Sequence, residues 1–159
     1  MQMIQKGNEG LVLVLIIGIV IVTSCQHGSK NPRSKDELVV SIATFADISL
    51  DSSPTSLGVP RPPYDESIDV VLSYGEMAVP ILKEEILDRV EASRDARTIG
   101  LAFYCLNKLG DTSFKNEGLE IYYLLVENRS FFDQRDHADQ IDYLFALDQC
   151  LRYSRGLDP

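Results

Sequence analysis

An uninterrupted run of apolar residues near the amino terminus most constrains what this chain can form. Residues 11–22 read LVLVLIIGIVIV, and the mostly polar segment before them carries one lysine, Lys6. The run has the length of a signal-peptide hydrophobic region, about 7–15 residues. A membrane-spanning helix needs roughly 20 such residues. We therefore expect residues 1–24 to be a cleaved signal segment, and the alternative is a single uncleaved transmembrane anchor.

The end of this run carries a short motif, Val22-Thr23-Ser24-Cys25. These four residues resemble the lipobox of bacterial lipoproteins. The resemblance implies cleavage before Cys25, diacylglycerol on the Cys25 thiol, and a fatty acyl group such as palmitate on the new amino terminus. Two or three acyl chains anchor a protein stably where one is marginal. In this family aspartate after the cysteine favours inner-membrane retention, so Gln26 implies the outer membrane if the host has one.

Two polar stretches separate Cys25 from the strongest helical signals. Residues 26–35 (QHGSKNPRSK) are typical of a flexible tether, whose basic side chains either contact anionic lipid headgroups or are simply solvated. Residues 51–64 hold four prolines and one glycine, as a loop does. We expect tether and linker over 25–64, with a short helix over 36–46, and a helical domain over 65–159.

The body of the chain is strongly acidic. From Asp36 onward, 23 acidic side chains stand against 11 basic ones, a net charge of −12. Nucleic-acid binding rewards a basic face, so this balance argues against a nucleic-acid partner. It favours solubility and the electrostatic attraction of a basic protein partner.

Helical periodicity dominates this body. Apolar residues recur at the i, i+3, i+4 and i+7 spacing of amphipathic helices, and connections between the helical segments are short. Short connections favour antiparallel neighbours. The sequence therefore predicts an all-α array of antiparallel helix pairs. Three predicted helices have apolar faces formed by Ile68, Val71 and Leu72, by Val79, Leu82, Ile86 and Val90, and by Ile99, Ala102, Phe103 and Leu106.

Two further apolar segments follow. Residues 119–126 (LEIYYLLV) are apolar nearly all round, which predicts a central buried helix, with a short strand as the alternative. The last helix is expected from about Asp136 to Tyr153. Its predicted inner face consists of Ile141, Leu144, Phe145, Leu147 and Leu151.

One stretch of the body resembles a HEAT-like helical repeat. From Leu72 to Leu82 the chain reads LxxGxxAVPxL, and the pair Asp95 and Arg97 precedes Leu109-Gly110-Asp111. In that family the glycine ends the first helix, and the Ala-Val-Pro segment opens a second helix that packs antiparallel to it. The resemblance covers about residues 68–111. It implies a solenoid-like array of helix pairs, and a plain helical bundle is the alternative.

A cluster of charged residues near the last helix is a candidate metal site. Asp136, His137 and Asp139 lie close together in sequence, with Asp142 one turn further along. Carboxylate and imidazole groups are ligands for divalent metals. The structural alternative, which we favour, is that acidic residues at a helix amino terminus complement the helix dipole. We therefore predict no bound metal and no cofactor.

A second candidate is an acidic patch on the helix that follows Pro80. Glu84, Glu85 and Asp88 form either a solvated face or a binding surface. The two cysteines of the body, Cys105 and Cys150, lie in apolar segments, where they form either a disulfide or two buried, inert thiols.

Two functions from different classes follow. The first, which we favour, is a membrane-anchored lipoprotein whose acidic helical domain binds another protein, in an immunity or adaptor role. The second is a small metal-binding or enzymatic helical domain centred on His137 and its neighbouring aspartates. The sequence shows no nucleophile motif and no Gly-rich phosphate loop, so we predict a protein that is not an enzyme.

Overall fold

The computed structural model describes residues 34–50, 63–92, 94–129 and 137–159, with the side chains of 137–139 left out. The predicted signal segment, Cys25, Gln26 and most of the Pro-rich stretch lie outside these ranges. All described residues belong to one unit, Ser34–Pro159. Within it the prediction of an all-α fold is confirmed, since the described residues form helices and no strand. The described residues form α1 (Lys35–Ala43), α2 (Glu66–Ser73), α3 (Ala78–Glu91), α4 (Ala96–Lys108), α5 (Lys115–Glu127) and α6 (His137–Arg155).

Side-chain caps explain where three of the helices begin. The Ser34 hydroxyl accepts a hydrogen bond from the backbone N–H of Asp36 at 3.0 Å, before α1. The Asp65 carboxylate accepts one from Ser67 at 2.8 Å, before α2. Asp95 does the same before α4, where it accepts from Thr98 at 3.1 Å. Such caps satisfy amide groups that have no partner inside the helix. Two 3₁₀ turns, Thr44–Asp47 and Gly75–Met77, complete the description.

Three antiparallel helix pairs make up the array. The end of α2 meets the start of α1, where the Tyr74 hydroxyl lies 2.9 Å from the carbonyl oxygen of Ser34. The end of α3 meets the start of α4. The start of α5 meets the end of α6, and the Tyr143 hydroxyl at the other end donates to the carbonyl oxygen of Leu125 at 3.0 Å. The predicted array of antiparallel pairs is therefore confirmed.

The second helices of the pairs form a common layer, in which α2 touches α4 and α4 packs most extensively against α6. Arg97 near the start of α4 bonds to Asp142 near the start of α6. Asn107, at the far end of α4, donates to the carbonyl oxygen of Leu157, just beyond α6. The two helices therefore run parallel. They approach closely because Gly100 of α4 has no side chain where it faces Phe145.

The helix pairing differs from the one that the HEAT-like resemblance implied. That resemblance paired the helix ending near Gly75 with the helix opened by Pro80. In the structure α2 packs against α1 and α3 packs against α4, so the pairs are offset by one helix. The contact of Tyr74 with Ser34 holds the end of α2 on α1 instead.

The central helix is α4, so the prediction that residues 119–126 form it is wrong. Nine of the 13 residues of α4 are buried, whereas α5 buries Gly118, Ile121 and Leu125. An all-round apolar pattern reports hydrophobicity but not position in the array. Helix α5 stands at the end of the row and packs mainly against α6.

The inner face predicted for α6 needs a similar correction. Leu144 is 48% exposed, while Phe145 is fully buried. Ile141, Leu147 and Leu151 are only partly buried. Two tyrosines occupy the inner face because their hydroxyl groups find partners there. The buried side of α6 consists of Tyr143, Phe145, Ala146, Gln149, Cys150 and Tyr153.

The segment before the Pro-rich stretch also contributes to the core. The sequence placed a short helix at 36–46 within a tether, and the structure has α1 and the first 3₁₀ turn there. Their buried side chains belong to the same hydrophobic cluster as those of α2–α6. They are Leu38, Ile42, Phe45, Ile48 and Leu50.

Candidate functional site

The outer face of α3 presents the acidic patch that the sequence singled out. Glu84, Asp88 and Glu91 follow the i, i+4, i+7 spacing, and all three are exposed. Leu87 lies among them and is 49% exposed. None of the three carboxylates forms an ion pair with another described residue. The result is an uncompensated negative surface with an apolar side chain inside it.

Glu85, the third member of the predicted patch, has a different role. The Arg89 guanidinium donates to its carboxylate at 2.7 Å, one helical turn away. The same Arg89 forms an ion pair at 3.1 Å with Asp95, which caps α4 by accepting from the Thr98 N–H. Asp95 adopts a left-handed conformation, with φ of 58°, which aspartate tolerates better than most residues. Glu85 therefore helps to join α3 to α4 and is not a free ligand.

Most of the candidate metal cluster lies outside the described side chains. Asp136 and the side chains of His137 and Asp139 lie outside the described part. The next acid in the series, Asp142, is bound by the guanidinium of Arg97. In the ranges that the structure describes, no three His, Cys, Asp or Glu side chains are placed to hold a metal ion.

A partly buried polar cluster connects three parts of the array. The carboxylate of Asp111, in the loop after α4, accepts hydrogen bonds from the hydroxyl groups of Tyr153 and Ser113. The ammonium group of Lys83 on α3 forms an ion pair with it at 3.2 Å. The Tyr153 hydroxyl in turn accepts from the N–H of Phe114 at 3.1 Å. The Asp111 carboxylate thus joins α3 to α6, and the Tyr153 hydroxyl extends the cluster to the start of α5.

The protonation states of this cluster favour a structural role. Burial tends to raise the pKa of Asp111, but hydrogen bonds from Tyr153, Ser113 and Lys83 outweigh it and hold that pKa below its usual range. Burial and the hydrogen bond to the Asp111 carboxylate raise the pKa of Tyr153 above its usual range. Near neutral pH both groups keep one protonation state. They are therefore suited to holding the helices and not to exchanging protons.

The loop that carries Asp111 owes its shape to a helix-ending motif. The N–H of Asp111 bonds to the carbonyl of Leu106, and that of Gly110 bonds to the carbonyl of Asn107, both at 3.0 Å. This is the Schellman motif, which requires a left-handed residue, and Gly110 has φ of 72°. An open groove of about 390 Å³ lies beside it. The groove is lined by Glu76, Val79, Pro80 and residues 109–113.

The two cysteines of the body are free thiols and are fully buried. Burial raises the pKa of Cys105 to about 12. The thiol of Cys150 donates to the carbonyl oxygen of Gly118 at 2.9 Å, and burial raises its pKa as well. A nucleophilic cysteine needs an accessible thiolate. The interpretation of Cys105 and Cys150 as buried, inert thiols therefore fits the structure.

One exposed surface was missed by the sequence analysis. On α5, Leu119, Tyr123 and Val126 are 39%, 57% and 45% exposed. The all-round apolar pattern of residues 119–126 was the signal, and it was assigned to burial in the core. At the end of an array the same pattern leaves one face uncovered by described residues.

Membrane attachment depends on residues beyond the described ranges. Cys25 and Gln26 lie there, so lipid anchoring stays a prediction. Among the helices that the structure describes, none combines the length and the apolar character needed to cross a bilayer.

Comparisons with known proteins add no relative from which a role might be transferred. No family model and no curated protein matches the sequence, and no solved structure matches the chain. Function therefore has to be inferred from the described side chains themselves.

Proposed function

We propose that this protein is a lipid-anchored protein of the cell envelope whose acidic helical body binds a basic partner protein, in an adaptor or immunity role. The observation that carries the proposal is the outer face of α3. There Glu84, Asp88 and Glu91 surround the exposed Leu87, and no described basic residue forms an ion pair with them. Complementary charge around an apolar contact is a common arrangement in protein interfaces.

The charge balance supports the same partner chemistry. The chain from Asp36 onward carries a net charge of −12. A field of that sign attracts a basic protein and raises its association rate, and it repels nucleic acids. The acidic patch on α3 adds a local surface to this long-range attraction. Arg89 leaves it unneutralised because it is already paired with Glu85 and Asp95.

The stacking of three helix pairs supports a binding role. In repeat arrays each helix pair contacts its neighbours, and the row of helices offers an extended surface to partners. Helix α3 is the first helix of the middle pair, so its outer face belongs to that row. An array of this kind is suited to binding a protein and needs no catalytic group.

Anchoring through Cys25 rests on the motif Val22-Thr23-Ser24-Cys25 directly after the apolar run. The test is metabolic labelling with an alkyne-bearing fatty acid in a bacterium that processes lipoproteins. The full chain should take up the label, and Cys25→Ala should lose it and keep its signal segment. Label that persists in Cys25→Ala would contradict the lipoprotein assignment.

The binding role is tested by photo-cross-linking in the same cells. A photoreactive residue at position 87 of the full chain should yield an adduct with a protein that mass spectrometry shows to be basic. The same residue at Val40, exposed on α1, is the positional control. An equal yield of the same adduct at both positions would contradict a specific surface on α3.

Charge reversal provides the second arm of this experiment. The double variant Glu84→Lys and Asp88→Lys should lose the adduct at position 87, because both changes repel a basic partner. The matched control reverses Glu76 and Asp158, which are exposed on other segments. An adduct that survives the first double variant would rule out the acidic patch as the binding surface.

A further inference from the structure

Helix α5 has two apolar faces, and the described residues cover only one of them. The covered face consists of Gly118, Ile121 and Leu125, which are buried. The second face, called here the α5 stripe, consists of Leu119, Tyr122, Tyr123 and Val126. Tyr122 is partly buried against the core, and the other three side chains are exposed to between 39% and 57%.

The α5 stripe has the spacing of a helix-packing surface. Its members stand at i, i+3, i+4 and i+7, the pattern by which one helix packs along another. The rings of Tyr122 and Tyr123 contact each other edge to face, with centroids 5.6 Å apart. Two side chains that already contact each other lose less conformational entropy when a partner binds. Tyrosine is also enriched among the residues that dominate binding energy.

Acidic side chains line one edge of the stripe and restrict what can bind there. Glu120 and Glu127 stand at i−3 and i+4 from Tyr123, so both neighbour it on the helix surface. Helix α5 carries three glutamates and one lysine, a net charge of −2. A second copy of this chain would bring its own glutamates against them, and anionic lipid headgroups would be repelled in the same way.

The geometry points to the α5 stripe as the docking surface for a basic amphipathic helix of another protein. Apolar side chains of that helix contact Leu119, Tyr123 and Val126, and its lysines or arginines lie beside Glu120 and Glu127. This is helix-on-helix packing, in which the apolar face gives affinity and the neighbouring charge gives direction. The inference goes beyond the proposed function, because it concerns a different helix and does not need the patch on α3.

The test measures binding of designed peptides to the full chain. The chain is held in nanodiscs of zwitterionic lipid, so that the membrane itself does not capture a basic peptide. The probe is a fluorescent helical peptide with leucines at i, i+3, i+4 and i+7 and lysines beside them. A second peptide carries glutamates in place of the lysines, and a third has the first composition in scrambled order. Empty nanodiscs supply the background for all three.

The lysine peptide should bind and the other two should not, as followed by fluorescence anisotropy. Tyr123→Ser and Val126→Ser should each weaken binding at least about tenfold, since they remove exposed contacts of the stripe. Val40→Ser is the matched control, because Val40 is 63% exposed on α1, which packs on α2 and α3. It should leave binding unchanged.

A charge swap makes the test independent of apolar contacts. In the variant Glu120→Lys and Glu127→Lys, preference should change from the lysine peptide to the glutamate peptide. Added salt should weaken binding of the lysine peptide to the unaltered chain. Circular dichroism shows whether each variant keeps its helical fold.

Three results would overturn the inference. The first is binding of all peptides alike, or of none. The second is self-association of the full chain that Tyr123→Ser abolishes, which would make a second copy the occupant. The third is peptide binding that appears only when Phe131 and Phe132 are changed to serine, which would make the chain's own residues the occupant. The charge-reversal variant that tests the proposed function changes only α3, and the variants expected to alter peptide binding change only α5. A failure of one test can therefore be told apart from a failure of the other.

Discussion

The guanidinium of Arg97 on α4 contacts both carboxylate oxygens of Asp142 on α6, with nitrogen–oxygen distances of 2.8, 3.0 and 3.1 Å. Its remaining amino group donates to the carbonyl oxygen of Ala46 at 2.9 Å. One side chain therefore joins the turn after α1 to two parallel helices. Asp142, which the sequence grouped with the candidate metal cluster, forms an ion pair with Arg97.

This contact predicts a measurable loss of stability. Asp142→Asn should lower the free energy of unfolding by about 2 kcal/mol, because it removes the negative charge that accepts three hydrogen bonds from the partly buried Arg97 guanidinium. Asp148→Asn is the control, since Asp148 pairs with Arg152 on the same helix and such pairs contribute about 0.3–0.5 kcal/mol. Urea unfolding of both variants gives the comparison, and equal losses would show that the interhelical contact adds no more stability than the pair within one helix.

Substitutions at three residues in different environments should rank in a definite order of lost stability. Leu106 is fully buried, so Leu106→Ala should cost about 2–5 kcal/mol. Gly75 has φ of 58° with open space around its Cα, so Gly75→Ala should cost about 1 kcal/mol through backbone strain alone. Glu84 is exposed, and Glu84→Ala should stay within about 0.5 kcal/mol of the unaltered chain. Urea melts test the order, and a larger loss for Glu84→Ala than for Leu106→Ala would contradict the assigned faces.

Substitution of Gly100 tests whether helix propensity or close packing between α4 and α6 has the larger effect on stability. A Cβ there would lie 2.6 Å from Cδ1 of Phe145 and 3.1 Å from Cα of Ala146. Alanine favours a helix by about 1 kcal/mol over glycine, but overfilling a packed interface costs about 1–3 kcal/mol. Gly100→Ala should therefore lower the melting temperature, and adding Phe145→Leu should restore part of the loss. A higher melting temperature for the single variant would mean that α4 and α6 have room between them.

Asp111 predicts how stability changes with acidity. Its folded pKa lies below the ordinary value of 3.8, so its ionised form stabilises the fold above that pH. This contribution is lost as the pH falls through the folded pKa. The stability difference between the unaltered chain and Asp111→Asn should be constant near neutral pH and should shrink below about pH 4. Urea melts across this range provide the check, and a difference that grows in acid would reverse the assigned direction.

The buried thiols predict a reactivity that depends on unfolding. Cys105 and Cys150 are free and buried, and burial raises the pKa of both, so neither should react with a thiol reagent in the folded chain. In urea both should react. If Cys25 is lipid-linked, two thiols per chain should react in urea. Cys105→Ser should reduce that number to one. Rapid labelling of the folded chain would contradict their burial.

The sequence by itself determined the helices and many of their buried faces. Periodic apolar residues, capping aspartates and helix-ending glycines are local signals, because each acts within a few residues along the chain. Ile99, Ala102, Phe103 and Leu106 were assigned to the core on that basis, and all four are buried. Two acids of the patch predicted on α3, Glu84 and Asp88, are exposed as expected, whereas Glu85 is paired with Arg89 and the exposed Glu91 was not part of the prediction.

Only the tertiary structure decided which helix is central and which side chains act as partners. Helix α5 is as apolar in sequence as a buried helix, yet it stands at the end of the row and leaves the α5 stripe exposed. Arg97 and Asp142 are 45 residues apart, and Asp111 and Tyr153 are 42 apart. No local pattern encodes such contacts, because they arise only when stacked helix pairs bring distant segments together. Periodicity identifies the apolar face of a helix. Whether that face is buried depends on which other helices pack against it in the tertiary structure.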